Sequence, residues 1–228
     1  MWCFGIEPSR VLLTTSDIDR PMQDGGPGVG HITTGKGKDC LWIAIGWKKF
    51  GRSMPRVWEY DNLIGFPRDQ WIEMLSAPVE SYPDVNFLPV EMSVVYTAQL
   101  DGEDFELFDQ LNLRADGSWD EVLSLLVIGA VPAAPGSMLF GFDVTGGRVV
   151  LLGVESGTLE LVNSSFRALT EFLYHYACFI DEDTGPVGRA ARATTLQSSL
   201  VKIDPGAFAS RESWWSIALS KLGAPTFG

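Results

Sequence analysis

The second half of the chain constrains the fold most. From residue 119 to residue 222, short apolar runs alternate with glycine-rich turns. They lead into LELVNSSFRALTEFLYHY (159–176) and then KIDPGAFASRESWW (202–215). EVLSLLVIGAV (121–131) has the length and apolar content of a buried strand. SMLFGFDV (137–144) and RVVLLGV (148–154) flank Thr145, Gly146 and Gly147, which favour a tight turn between antiparallel strands. GTLELV (157–162) adds another strand. Asn163, Ser164 and Ser165 then offer side-chain oxygens to the open N–H groups of a helix start. Phe166, Leu169, Phe172, Leu173, Tyr176 and Ile180 recur at helical spacing behind them. DEDTG (181–185) ends that helix. Residues 190–203 form another, Pro205 breaks it, and Ser210 caps a last helix bearing Trp214, Ile217, Ala218 and Leu222. Strands joined by tight turns and followed by helices imply an α+β fold: a mainly antiparallel twisted sheet backed by helices, in a single domain. The first of these helices is expected to pack Phe166, Leu169, Phe172 and Leu173 against a sheet built from residues 122–162.

The first half is less regular. LIGFPRDQWIEMLS (63–76) reads as a turn at Gly65 and Pro67 followed by a short helix through Trp71, Met74 and Leu75, with proline suited to the entry. VNFLPVEMSVVYTAQL (85–100) gives one or two strands, with Pro89 at an edge or bulge. CLWIAIGW (40–47) reads as a buried strand and KKFGRSMPR (48–56) as a basic turn. Residues 22–39 are rich in glycine, lack any period and read as a loop. The division expected is an irregular N-terminal extension over residues 1–57, with a partly packed strand at 40–47, and a main domain over 58–228.

A chain of 228 residues with 46% hydrophobic content suits one sizeable core, and 20% charged residues argue against global disorder. Lys and Arg number 17 against 29 Asp and Glu, a net charge of −12. Such a chain repels phosphate backbones, so no nucleic-acid partner is expected and a basic protein partner is favoured. The same charge also serves solubility. Cys3, Cys40 and Cys178 form neither a disulfide framework nor a C-x-x-C site, and two histidines are too few for a histidine-built zinc site. MWCFGIEPSR shows no signal-peptide pattern, and the apolar runs are shorter than a membrane span. A cytoplasmic protein with reduced thiols, no membrane association, no cofactor and no metal is expected.

Gly30 to Gly37 nearly spells a phosphate-binding loop around Lys36. However, Gly37 stands where the magnesium-binding hydroxyl is needed, and no strand and helix frame it. His175 lies between Tyr174 and Tyr176 without a nucleophile and an orienting acid in pattern, which favours a structural histidine. Ser164 and Ser165 do not sit in a G-x-S-x-G elbow. Without a secretory signal the Asn163 sequon means no more than helix capping. Adjacent Trp214 and Trp215 point in different directions on a helix, so at least one belongs to the core. No catalytic residue is assigned.

Two acidic segments remain. One holds Asp101, Glu103, Asp104, Glu106 and Asp109 around Phe105 and Phe108; the other is Asp181, Glu182 and Asp183. Neither has calcium-loop spacing. A solvated face is one reading. A docking face for a basic protein is the other, and aromatic residues ringed by charge favour it. These ten residues are the candidate partner-binding set.

Four elements taken in order, LIGFP (63–67), LFGFDVTGGRVVLLG (139–153), LELVNSSFRALTEFL (159–173) and IDPGAFASRESWW (203–215), resemble the SUKH superfamily, most closely its fourth subgroup of immunity-type proteins. The resemblance runs from about residue 63 to 222 and is thin between residues 76 and 119. It implies a single α+β domain with a twisted sheet backed by helices. It also implies a non-enzymatic bacterial protein that neutralises a cognate polymorphic toxin, of nuclease or deaminase type, by direct contact. The superfamily includes regulatory binding proteins too. A cytosolic adaptor recruiting an endogenous partner in a biosynthetic, regulatory or phage-defence pathway is therefore the alternative. The family transfers no contact residue; the acidic set rests on charge alone.

Overall fold

The computed structural model describes residues 63–101, 104–114 and 122–223. The Gly30–Gly37 loop, His31, the 40–47 segment, Cys3, Cys40 and Glu103 lie outside them.

The chain enters through β1 (Leu63–Gly65), which pairs antiparallel with β2 (Phe87–Pro89) in a small two-stranded sheet. Between them α1 (Arg68–Met74) opens directly after Pro67 and buries Trp71. The main sheet has, among the described residues, seven strands. β3 (Glu91–Met92) and β4 (Tyr96–Thr97) form a minimal hairpin. β5 (Gln110–Arg114) and β4 share one flank of β6 (Val122–Ala130): β5 runs from Gln110 opposite Leu126 to Arg114 opposite Val122, and β4 meets the far end at Ala130. On the other flank β6 continues through β7 (Met138–Asp143), β8 (Val149–Gly153) and β9 (Thr158–Asn163), each antiparallel to the last. The result is a curled antiparallel sheet with helices against one face, an α+β fold in the sense expected.

Alternation divides the sheet into two faces. Leu126, Ile128, Phe140, Phe142, Val149, Leu151 and Val162 point to the main core, where α2 (Phe166–Asp181) lays down Phe166, Leu169, Phe172 and Leu173, all 0–1% exposed. Phe142 and Phe166 meet with ring centroids 5.5 Å apart. Leu125, Val127, Leu139, Val150 and Leu152 point the other way. The register slips between Val127 and Gly129, and Gly129 adopts φ +152°. A Cβ there would lie 2.4 Å from the ring of Tyr96, whose hydroxyl donates to the Ile128 carbonyl at 2.5 Å.

The β7–β8 turn is organised by Asp143, a carboxylate only 2% exposed. It accepts from the N–H groups of Thr145 and Gly146 at 3.0 and 2.8 Å and pairs with Arg148 at 3.0 Å. Gly147 takes φ +74°, and a side chain there would strike Ser81 at 2.6 Å.

Three expectations need correction. Of the three residues offered as caps for α2, Ser165 caps it, accepting from the Ala168 N–H at 3.0 Å, while Asn163 is buried at the end of β9 and bonds elsewhere. The 85–100 region holds three very short strands rather than one or two, because Pro89 and the left-handed Ser93 interrupt pairing. Ser210 does not cap α4 (Trp214–Gly223); it accepts from the Glu212 N–H one turn earlier, and Glu160 accepts from the Trp214 N–H at 2.6 Å. α3 (Arg189–Ile203) ends before Pro205, as the sequence implies.

Candidate partner-binding site

Residues 104–109 are fastened to the central strand. The Phe108 N–H donates to the Val127 carbonyl at 2.7 Å, and the Val127 N–H donates to the Asp109 carbonyl at 2.9 Å. Inside the loop the Glu106 N–H donates to the Asp109 carboxylate at 2.8 Å, and the Asp109 N–H returns to the Glu106 carbonyl at 3.1 Å. Phe108 sits at φ +74°, a left-handed conformation unusual for an aromatic residue.

The two phenylalanines hold this loop from opposite sides of the sheet. Phe105 packs against Val127, Ala130 and Leu139 on the face turned away from the helices. Phe108 packs into the helix-side core, edge-on to Trp71 with centroids 5.1 Å apart. Both rings are half-buried. Asp101, Asp104 and Glu106 are exposed, and the Asp101 backbone closes against Gly136, where a Cβ would lie 2.6 Å from its carbonyl oxygen. The segment thus presents carboxylates outward from an anchored backbone. Because Trp71 touches Phe108, α1 stands beside the loop and adds exposed Asp69, Glu73 and Met74, the last 71% exposed. The sequence offered no signal for this: Trp71 and Phe108 lie 37 positions apart.

The second acidic segment closes α2. Asp181 and Glu182 are exposed at its C-terminus. Asp183 turns inward and pairs with Arg189 at 2.6 Å and with Arg192. The Arg189 hydrogen bond, with help from Arg192, holds its carboxyl below the usual aspartate range. Two guanidinium groups already engage Asp183, so it joins α2 to α3. The two acidic segments are fixed to different elements, the first to β6 and the second to α3.

The family-like motifs occupy a different place. Asp204, 2% exposed, accepts from Asn163 Nδ2 at 3.1 Å and from the Ser164 N–H at 2.7 Å; Asn163 Oδ1 accepts from Trp215 Nε1 at 3.0 Å. This clasp ties β9, the α3–α4 link and α4 together. Trp215 is 1% exposed, and half-buried Trp214 meets Phe140 edge-on at 5.8 Å. His175 is half-buried beside Tyr174, with centroids 5.7 Å apart. An open groove between α3 and α4, lined by Ala193, Thr194, Phe208, Ser216 and Leu219, holds none of the candidate residues. Among the described residues, no group of three His, Cys, Asp or Glu side chains is placed to hold a metal ion, and no helix is long and apolar enough to cross a membrane.

These features define an α+β domain with a buried Asn163–Asp204–Trp215 network, in which the candidate residues Asp101, Asp104, Glu106, Asp181 and Glu182 are exposed. A family model described as SUKH-4 immunity protein matches residues 63–221, and the chain belongs to that family. Searches of curated proteins and of solved structures returned no match.

Proposed function

We propose that the protein neutralises a cognate toxin by binding it directly, without catalysis, and that the toxin domain is basic. Membership of the SUKH-4 immunity family carries the reading. The distribution of charge supports it: residues 63–221 hold nine of the 17 Lys and Arg but 22 of the 29 Asp and Glu. A nuclease or deaminase that binds nucleic acid carries a positive surface, and outward carboxylates on a fixed backbone would meet it as the phosphates do. The proposed contacts are the 101–109 segment first, through Asp101, Glu103, Asp104, Phe105, Glu106, Phe108 and Asp109, and Asp181 and Glu182 second. Asp183 belongs to this proposal only through the position it gives its neighbours.

Co-expression with a candidate toxin tests the function, a toxin gene lying next to the gene for this protein being the first to try. Rescue of growth and recovery of a complex of the two proteins are expected. Equal killing with and without the protein would overturn the reading. A pull-down returning a housekeeping partner and no toxin would favour the adaptor role instead.

A further inference from the structure

We propose that Met74 on α1 is the apolar anchor of the toxin interface, seated beside the 104–109 segment at one end of α2. This rests on the functional reading above and adds an element that charge in the sequence does not mark. Asp69, Gln70, Glu73 and Met74 of α1 are exposed, while Trp71 is buried and Ile72 half-buried. Residues three and four apart are neighbours on a helix, so the four form one outward face. Trp71 fixes that face in the fold. It stacks on Phe66 with centroids 5.2 Å apart and meets Phe108 edge-on at 5.1 Å. Exposed Asp104 and Glu106 belong to the loop that Phe108 closes, so the α1 face continues into the proposed contact segment.

A singly exposed apolar side chain is ordinary; its setting is what counts. Over residues 63–113 the chain holds ten Asp and Glu but one Lys or Arg. That one, Arg68, is already engaged: its Nε donates to the Pro83 carbonyl, and its Nη1 pairs with Asp69 at 3.0 Å. Met74, 71% exposed, stands inside this single-sign field. An apolar anchor within a charged rim is how interfaces concentrate binding, and an unbranched thioether adapts to irregular recesses. The other end of α2 differs. Phe166, the first residue of α2, meets Phe66 and Trp71 with centroids 5.2 and 6.5 Å apart, so α1 stands at the helix start. The 16 residues of α2 put the second acidic segment about 24 Å away, at about 1.5 Å per residue. Val187 there is 89% exposed, but Arg192 donates to its carbonyl at 2.9 Å and, with Arg189, engages Asp183. Two guanidinium groups at that end oppose a basic partner. The occupant of the α1 face is therefore a basic toxin surface with an apolar recess for Met74.

Binding kinetics between the full chain and the toxin domain that passes the co-expression test decide it. Met74→Ala should leave the melting temperature and the association rate unchanged and raise the dissociation rate about tenfold. Glu73→Gln should slow association and weaken its salt dependence. Val187→Ala should change neither rate. A complex whose kinetics are unchanged in Met74→Ala, or weakened by Val187→Ala instead, would overturn the inference and leave the functional reading standing. So would a dimer of this chain that Met74→Ala dissolves without affecting toxin binding, because the occupant would then be a second copy. No complex between the unaltered chain and the toxin would overturn the reading and the inference together.

Discussion

Asp204 is a buried carboxylate whose two donors, the Asn163 amide and the Ser164 N–H, come from about 40 positions earlier in the chain. Truncating it leaves both donors without their acceptor, and an unsatisfied buried polar group costs about 1–3 kcal/mol. Asp204→Ala should lower the melting temperature more than Ser210→Ala, which touches only an exposed turn. Leu173, 0% exposed in the main core, should cost about 2–5 kcal/mol when changed to Ala, read from the denaturation midpoint. Glu160 and Asp183 give opposite pH signatures. Burial raises the Glu160 carboxyl above its ordinary value, although its bond from the Trp214 N–H works against this. The folded state therefore holds that proton more tightly than the unfolded one, and stability falls as pH rises from the ordinary glutamate value through the raised one. Glu160→Gln keeps an acceptor for Trp214 and should remove that part of the melting profile. The Asp183 carboxyl is lowered, so its contribution is present above the ordinary aspartate value and is lost as pH falls through the lowered one. Asp183→Asn should flatten the acid side of the same profile.

At the scale of elements, the sequence carried most of the second half of the fold because its signals are local. Thr145-Gly146-Gly147 marked the β7–β8 turn, and the 3.6-residue period marked α2. β5 escaped because QLNLR is only five residues long, although Leu111 and Leu113 alternate as a strand requires. The amide of Asn163 suits a cap, but its acceptor and donor lie 41 and 52 positions away, which no local window reports. The acidic loop shows the same limit. Its charge was legible, but the division of Phe105 and Phe108 between the two sheet faces follows from tertiary packing. That packing changes what substitution there should do. Replacing Asp101, Glu103 and Asp104 by Asn, Gln and Asn should lower the association rate with the toxin and weaken its salt dependence, as charge steers encounter. Phe105→Ala removes a ring that supports the loop from beneath, so it should raise the dissociation rate and also loosen the loop in hydrogen exchange. Association and dissociation rates at two salt concentrations check both; an unchanged triple variant would move the interface to Asp181 and Glu182.

For the whole molecule, the four motifs that mark the family are mostly architectural. LIGFP forms β1 and its turn into α1, LFGFDVTGGRVVLLG is the β7–β8 hairpin, and the last two supply the Asn163–Asp204–Trp215 clasp. They identify the fold without identifying the surface that meets a partner. The clasp has one more consequence. Among the described residues β9 pairs on one side only and closes one end of the sheet's strand order, and an open strand is a template on which other chains can pair. Asn163, the last residue of that strand, is bonded to both Asp204 and Trp215, so the first turn of α4 cannot open without disturbing the strand itself. The clasp thereby couples the end of an edge strand to a helix start 52 positions later in the chain.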